Sequence, residues 1–371
     1  LDRAGFMKVN EVPVLKSWVE KWGEGLVQTG PNEWRRVADF RDEFIRDHGL
    51  VDYRGKLMSR EQAEALKAQM LVRAPEAATA ANEFTKAIDG LQIGPPMNVR
   101  GLTVYPLIPG HGAPEPDYAT LHEALGSGKL EIADTLGLFA VQIKNPLEKD
   151  LVLFQGEVLS GGRSTRVVAD TTVVFAGQTG RVPVLCVEPG AWRSADRFAK
   201  ESGHYIAPPE VRQSLVWEQG QGALWAMLSR HLAGRPGLSD LFRKHADAVS
   251  EIRGYFAPLA EREAHAVGLA VAAGDSLLFV EIFRDRELFQ AAFDRVVAGA
   301  ALDALEREGE PREASPWSNS VRGVKQFLEA AFSLTYETRE GGYAVRKDEA
   351  WVGTVAASGG APLHALLFAG G

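Results

Sequence analysis

The chemistry-bearing residues of this chain crowd into GEVLSGGRSTRVVADTTVVFAGQTGRVPVLCVEPGAW, Gly156 to Trp192. Two carboxylates, Glu157 and Glu188, bracket two arginines, Arg163 and Arg166, and a glycine pair, Gly161 and Gly162. Guanidinium groups beside glycine N–H groups can receive an anion such as phosphate or carboxylate. A carboxylate held in a pocket with a raised pKa can act as a general base, which makes Glu157 and Glu188 the catalytic candidates. Trp192 offers a surface on which a base or ring could stack, and equally a side chain for core packing. The same residues also make an ordinary cross-strand link, with Glu157 facing Arg163 or Arg166 across a turn. Residue types alone leave both readings open.

Elsewhere the signals are weaker. The eight histidines, His48, His111, His122, His204, His231, His245, His265 and His364, are scattered. No pair has metal-ligand spacing with an acidic third ligand, so no metal is expected. The loop PGHGAPEPD brings His111, Glu115 and Asp117 together, a composition more often solvated than functional. Cys186 lies in the apolar run VPVLCVE and reads as a buried, inert thiol. GSGK, Gly126 to Lys129, lacks the first glycine of a phosphate-binding loop and runs on into Leu130 instead of Ser or Thr. No GxSxG elbow occurs. The residues name no cofactor.

The totals bound the class. With 371 residues, 45% of them apolar, the chain can bury one large core or two smaller ones. A net charge of −8 argues against broad nucleic-acid binding. A single cysteine rules out an intrachain disulfide. No apolar run reaches the roughly 18 residues of a membrane span. No signal-peptide pattern opens the sequence either, so a cytoplasmic protein without membrane partners is expected.

The elements that must position the candidates fall into three blocks. Residues 1–94 read as a helical extension. It contains PNEWRRVADFRDEFIRDHG, and a capping-box pattern at Ser59 and Gln62. Two roles suit it, packing and homo-oligomerisation. IGPPM, Ile93 to Met97, is a linker by its paired prolines. Residues 97–210 are β-rich, with strand-like runs such as GLTVYPLI, LGLFAVQIKN and RVPVLCVE. There a hairpin is expected between Val152–Val158 and Thr165–Phe175. It would set Arg166, Asp170 and Thr172 on one face, since side chains alternate with period two. Residues 211–371 mix helices, including ELFQAAFDRVVAGAALDALERE, with hairpins. The stretches from Val267 to Phe283 and from Val352 to Phe368 are two such hairpins of equal length. The fold class is α+β: a helical N-terminal extension, a β-rich antiparallel domain, and a mixed helix and hairpin part packed on it.

From about residue 97 to 371 the chain also resembles a family. GLTVYPL, YATLHEAL, VLFQGEVLSGGRSTR, TTVVFAGQTGRVPVLCVEPGAW and QGALWAMLSRHL follow the order of the ADP-ribosylglycohydrolase and rhodanese-phosphatase-superfamily-associated domain. Its central motif falls on Gly156, Glu157, Leu159, Gly161, Gly162, Arg163 and Arg166, and its later one on Cys186, Val187, Glu188 and Trp192. Ser164 stands where the family often carries an amide. The resemblance implies a role near NAD or ADP-ribose metabolism by association, and no reaction. The leading expectation is a binding or regulatory module for an anionic small molecule, such as a nucleotide or ADP-ribose. Arg163, Arg166, Gly161 and Gly162 would contact it. The alternatives are a hydrolase using Glu157 or Glu188, and an assembly protein that oligomerises through residues 1–94.

Overall fold

The computed structural model describes residues 86, 88–110, 118–134, 139–188, 198, 202–216, 221, 224–225, 227–228, 237–307, 315–331, 335–339, 342–347, 350–358 and 361–369, together with short stretches between 6 and 59. Those early stretches are antiparallel pairs: β1 (Phe6–Val9) with β2 (Val12–Leu15), β3 (Leu26–Gly30) with β4 (Glu33–Arg36), and β5 (Leu50–Tyr53) with β6 (Lys56–Ser59). The other stretches of the expected helical extension, residues 60–85 among them, lie outside the described residues.

The next strands are β7 (Gln92–Ile93), β8 (Met97–Val99), β9 (Leu102–Ile108) and β10 (Tyr118–Thr120). Helix α1 (Leu121–Gly126) follows, then β11 (Glu131–Asp134), β12 (Ala140–Lys144) and β13 (Asp150–Leu153). After these come β14 (Val158–Leu159), β15 (Arg166–Val168), β16 (Thr172–Val174) and β17 (Thr179–Cys186). Three helices, α2 (Pro209–Val216), α3 (Leu238–Lys244) and α4 (Ala246–Arg262), lead to the hairpin β18 (Gly268–Ala273) and β19 (Ser276–Phe283). The chain closes with α5 (Arg286–Glu306), α6 (Val321–Ala331), β20 (Thr335–Arg339), β21 (Gly342–Lys347), β22 (Ala350–Ser358) and β23 (Ala361–Phe368).

A nine-stranded sheet forms the main body, in the order β20-β21-β22-β23-β19-β18-β9-β7, with β8 also on β9. Its pairings are antiparallel, and it draws strands from both sides of the intervening β-rich segment. The two hairpins of equal length lie side by side in it through β19 and β23. Along the central strands β9, β18 and β19 both faces carry apolar side chains, since side chains alternate along a strand. Leu102, Val104, Leu269, Val271, Phe279 and Phe283 pack with α4 and α5. Tyr105, Leu107, Ala270, Ala272 and Val280 pack instead with Val324, Phe327 and Leu328 of α6. Helix α5 is buried from Val296 to Asp303 and along the inner face of its first half, with Arg295 and Asp303 among its buried residues. Asp285 caps it by accepting from Leu288 N at 2.9 Å. The backbone behind it comes so close that a Cβ on Gly299 would lie 2.6 Å from the Ile206 carbonyl oxygen.

A smaller β unit sits beside this sheet. Its five-stranded sheet runs β11-β12-β17-β15-β14, and a three-stranded one runs β10-β13-β16, with β10 and β13 parallel. Val141, Ile143, Leu151, Leu153, Leu159, Val168 and Val184 fill its core. Helix α1 closes one end. Its capping box joins Thr120 and Glu123, with Thr120 N donating to Glu123 Oε2 at 2.8 Å. Strand β13 joins the two bodies: Leu151 and Leu153 enter the small core, while Val152 and Phe154 enter the main one. Phe154 meets Phe283 edge-on at 5.1 Å between ring centroids.

One expectation changes. The strand expected over Thr165–Phe175 is broken at Ala169–Thr171. Its halves, β15 and β16, belong to different sheets, so Arg166 and Thr172 do not share one strand face. The break lets the chain cross between sheets and turns Thr171 inward. The segment LSDLFRKHADAVSEIRGYF, Leu238 to Phe256, falls into two helices, α3 and α4, divided at His245. Among the described residues no helix is long and apolar enough to cross a membrane.

The joint makes a stability prediction. Phe154→Ala removes the ring that fastens the small unit to the main sheet and should cost about 3–5 kcal/mol. Phe175→Ala, at an exposed ring of the same unit, should change stability by less than about 0.5 kcal/mol. Urea unfolding of both variants checks the contrast.

Candidate functional site

The turn Gln155–Gly156–Glu157, between β13 and β14, organises the polar interior. Gly156 takes φ +90, a conformation that favours glycine. A Cβ there would lie 2.8 Å from Arg212 Cγ and 2.9 Å from its Cδ and Nε. Only glycine lets the stem of Arg212, from α2, lie against this turn. Gly156 N donates to Val168 O at 2.9 Å, and its carbonyl accepts from Ala207 N at 2.7 Å.

Glu157 follows at 0% exposure. One of its oxygens accepts from Phe154 N at 3.0 Å, and the other meets Arg295 Nη1 from α5. Arg295 Nη1 also donates to Gly203 O at 2.9 Å, and its Nε to Ala291 O at 3.1 Å. Burial pushes the Glu157 carboxyl up, beyond the opposing pull of the Arg295 charge and hydrogen bond. Arg295 Nη2 is buried with no hydrogen-bond partner among the described residues.

Arg212 carries the network to the main sheet. Its Nη1 and Nη2 reach the two oxygens of Glu281, in β19, at 2.8 and 2.5 Å. His364 Nε2, from β23, lies 2.8 Å from Glu281 Oε1. On the other side of the ring, Thr171 Oγ1 is 2.8 Å from His364 Nδ1, and the same hydroxyl accepts from Gln155 N at 2.9 Å. Burial alone would raise the Glu281 carboxyl. The charge and hydrogen bonds of Arg212, with those of His364, overcome it and hold the group at about 2. Burial holds the His364 imidazole below its ordinary value, helped by the Arg212 charge and opposed by Glu281. Glu281 is therefore ionised and His364 neutral near neutral pH. Nε2 must then carry the proton it gives to the carboxylate, and Nδ1 accepts from the Thr171 hydroxyl. The Gln155 side chain is fully buried, and neither its oxygen nor its nitrogen has a partner among the described residues.

The residues singled out in the glycine-rich stretch divide among different tasks. Gly161 and Gly162 both have positive φ, and a Cβ on Gly162 would press on the Phe198 ring at 2.9 Å. Gly161, itself half-buried, forms a β-bridge with Phe198. Arg163 is half-buried and Arg166 fully buried. Glu188 is buried too, with one oxygen accepting from Thr165 N at 3.0 Å. Cys186 is buried, and its thiol donates to Glu188 O at 3.4 Å. Trp192, His111, Glu115 and Asp117 lie outside the described residues. The structure thus brings Glu157 together with Arg295, and near Arg212, while Glu188 secures the far strand of the hairpin.

Sequence reasoning missed Arg212, Glu281, Arg295 and Gln155, and left His364 among eight scattered histidines. A usable signal existed. Glu281 interrupts LLFVEIF, Arg295 interrupts AAFDRVVAGAAL and His364 interrupts PLHALLF. A polar group at a buried position of an apolar run needs a partner of its own kind. Near Arg295 the surface holds a further pair: His122, in α1, and His204 are exposed, with ring centroids 5.3 Å apart. Among the described residues no cluster of three His, Cys, Asp or Glu is placed to hold a metal ion.

The network predicts opposite pH signatures for its two acids. Glu281 falls from an ordinary 4.5 to about 2, so its stabilisation is present above pH 4.5 and is lost as pH falls toward 2. Glu157 is raised, so its contribution is present below 4.5 and declines as pH rises toward its folded value. Glu281→Gln leaves Arg212 buried without its counter-charge and should cost about 3–5 kcal/mol at neutral pH. Its deficit relative to wild type should shrink between pH 4.5 and pH 2, which urea midpoints across pH will measure.

Comparison with known proteins places the chain. Residues 90–368 match the model of the ARPP-1 family, described as the ARG and Rhodanese-Phosphatase-superfamily-associated Protein domain. No curated protein and no solved structure matched the chain. The matched span takes in the nine-stranded sheet from β7 to β23, the small β unit and the whole buried network, and this chain belongs to the ARPP-1 family.

Proposed function

We propose that the chain is a binding module for an anionic small molecule, of the class of a nucleotide or ADP-ribose, received at His122 and His204 in front of Arg295. The observation that carries this is Arg295 Nη2, a buried guanidinium nitrogen without a hydrogen-bond partner among the described residues. It belongs to a side chain whose other nitrogens are occupied. A cation with an open donor calls for an acceptor. Two exposed imidazoles stand 5.3 Å apart, His122 close enough to feel the Arg295 charge, and their ring N–H groups can donate to an oxyanion. Burial holds His122 below its ordinary value, and the charges of Arg295 and His204 lower it further. An anion between these groups reverses that repulsion. Glu157 supports the arrangement by fixing Arg295. Its carboxyl takes up one side of the guanidinium and leaves the other.

A hydrolytic role for Glu157 or Glu188 is less well supported. Each carboxylate already accepts from a backbone N–H, Phe154 N for Glu157 and Thr165 N for Glu188, and Glu157 also holds Arg295.

Thermal denaturation with sulfate, ADP-ribose and NAD tests the proposal. A ligand at 100 times its Kd should add about 2.7 kcal/mol and raise the melting temperature. His122→Ala with His204→Ala, both at exposed positions, should keep the melting temperature of the free protein and lose the ligand-induced rise. Binding protonates His122, whose pKa is depressed in the free protein, so affinity for sulfate should strengthen as pH falls below neutral and weaken as it rises. No rise with any of the three compounds, or a rise that survives loss of both histidines, rejects the site.

A further inference from the structure

We propose that Thr171 is a nucleophile for acyl transfer, activated by His364 and Glu281, at a second site where the small β unit meets the main sheet. The observation behind this is a hydroxyl–imidazole–carboxylate relay. Thr171 Oγ1 stands 2.8 Å from His364 Nδ1, and His364 Nε2 stands 2.8 Å from Glu281 Oε1. This is the connectivity by which a buried acid fixes the tautomer of an imidazole and the imidazole takes a proton from a hydroxyl. Each member is held by something further. Arg212 grips both oxygens of Glu281. Phe154 and Phe283 flank the imidazole, with ring centroids 5.2 and 5.0 Å from it. Gln155 N donates to the Thr171 oxygen at 2.9 Å, so the hydroxyl proton is left to point at Nδ1.

A structural cross-link would explain the ion pair alone. Two features go beyond it. First, burial is graded: Glu281 and His364 are 0% and 1% exposed, while Thr171 is 8% exposed and flanked by half-buried Asp170 and Thr172. Thr171 is thus the least buried residue of the relay. Second, the Gln155 side chain, on the residue that grips the Thr171 oxygen, is fully buried with both amide atoms unpartnered among the described residues. A buried amide with an open donor and an open acceptor is costly unless something comes to meet it. An acyl group at Thr171 would present a carbonyl oxygen for such a donor, which is also the group needed when that oxygen becomes negative.

The step balances without a cofactor. The Thr171 O–H bond breaks and its proton passes to His364 Nδ1. Oγ1 bonds to the acyl carbon of an ester, and the bond from that carbon to the leaving oxygen breaks, the electron pair going with the oxygen. His364 returns its proton to the leaving alcohol. Water then gives a proton to Nδ1 and its oxygen to the acyl carbon, and Thr171 departs with the proton restored. Glu281 stays ionised throughout and stabilises the imidazolium. Arg212 is a positioning residue that keeps Glu281 charged and in place.

The test uses the full chain and p-nitrophenyl acetate, read by nitrophenolate release and by intact mass with peptide mapping. The expected result is a single acetyl group on Thr171, with release about a hundredfold or more slower in Thr171→Val. Thr171→Val keeps the shape of the side chain, and circular dichroism and melting temperature show whether it folds. Thr171→Ser restores the hydroxyl and should restore the adduct at the same position. Release in wild type should rise with pH and level off once His364 is neutral, and that step should be missing in Thr171→Val. Acetylation confined to lysines or other hydroxyls, or equal rates in wild type and a folded Thr171→Val, overturns the proposal.

Discussion

A carboxylate sealed from bulk solvent must be matched by opposite charge and hydrogen bonds, and Glu281, at 0% exposure, sets that requirement at the centre of this protein. Arg212 matches it with two hydrogen bonds from α2, and His364 adds a third from β23. Three segments far apart in sequence are thereby held in one arrangement. The stem of Arg212 then demands a glycine at position 156, which sets the turn that presents Glu157 to Arg295. Thr171 reaches the same network only because the chain breaks between β15 and β16. Buried ion pairs of this kind add little net stability compared with apolar packing, but their loss is severe. Their effect here is register: the small β unit can dock on the main sheet in the one position that completes the network.

Two acids in one network have been driven in opposite directions by their surroundings. Glu281 has a bidentate guanidinium and an imidazole, and its charge is secure. Glu157 has one nitrogen of Arg295 and a backbone N–H, and burial prevails. Separation of this sort is how a site assigns a permanent charge to one group and a movable proton to another. The ends of the network differ in the same way. At the Glu157 end two exposed imidazoles stand near the Arg295 charge. At the Glu281 end a hydroxyl faces a neutral ring. The proposed anion site draws on the first arrangement and the proposed acyl transfer on the second.

Much of the fold was legible in the sequence, and for identifiable reasons. The hairpin β18–β19 was readable because Gly274, at φ +56, sits between two apolar runs of strand length. Helix α5 was readable because its apolar run is too long for a strand and opens at an aspartate cap. The glycine pair, Gly161 and Gly162, takes positive φ, the conformation for which glycine is suited. The break in the strand after Val168 was not readable, since VVADTTVVF alternates well enough for one strand, and only the docking of two sheets divides it. The separation of β9 from its partner β18 by some 160 residues likewise leaves no local trace.

The candidate site was half legible, and the missing half follows from a physical asymmetry. Local chemistry identified Glu157 because it lies among glycines and arginines. Its working partner, Arg295, lies 138 residues away in the chain and shares no motif with it. Glycine-rich loops advertise themselves through composition, whereas a buried ion pair is advertised only by its incongruity. One charge in an apolar helix and one in an apolar strand each look like an exception until they are considered together. Arg212 and Glu281, 69 residues apart, are such a pair. Since an isolated buried charge is far more costly than a paired one, every such exception in a stable fold implies a second of opposite sign. Applied to this chain, that rule connects Glu281 with Arg212 and His364, and Arg295 with Glu157.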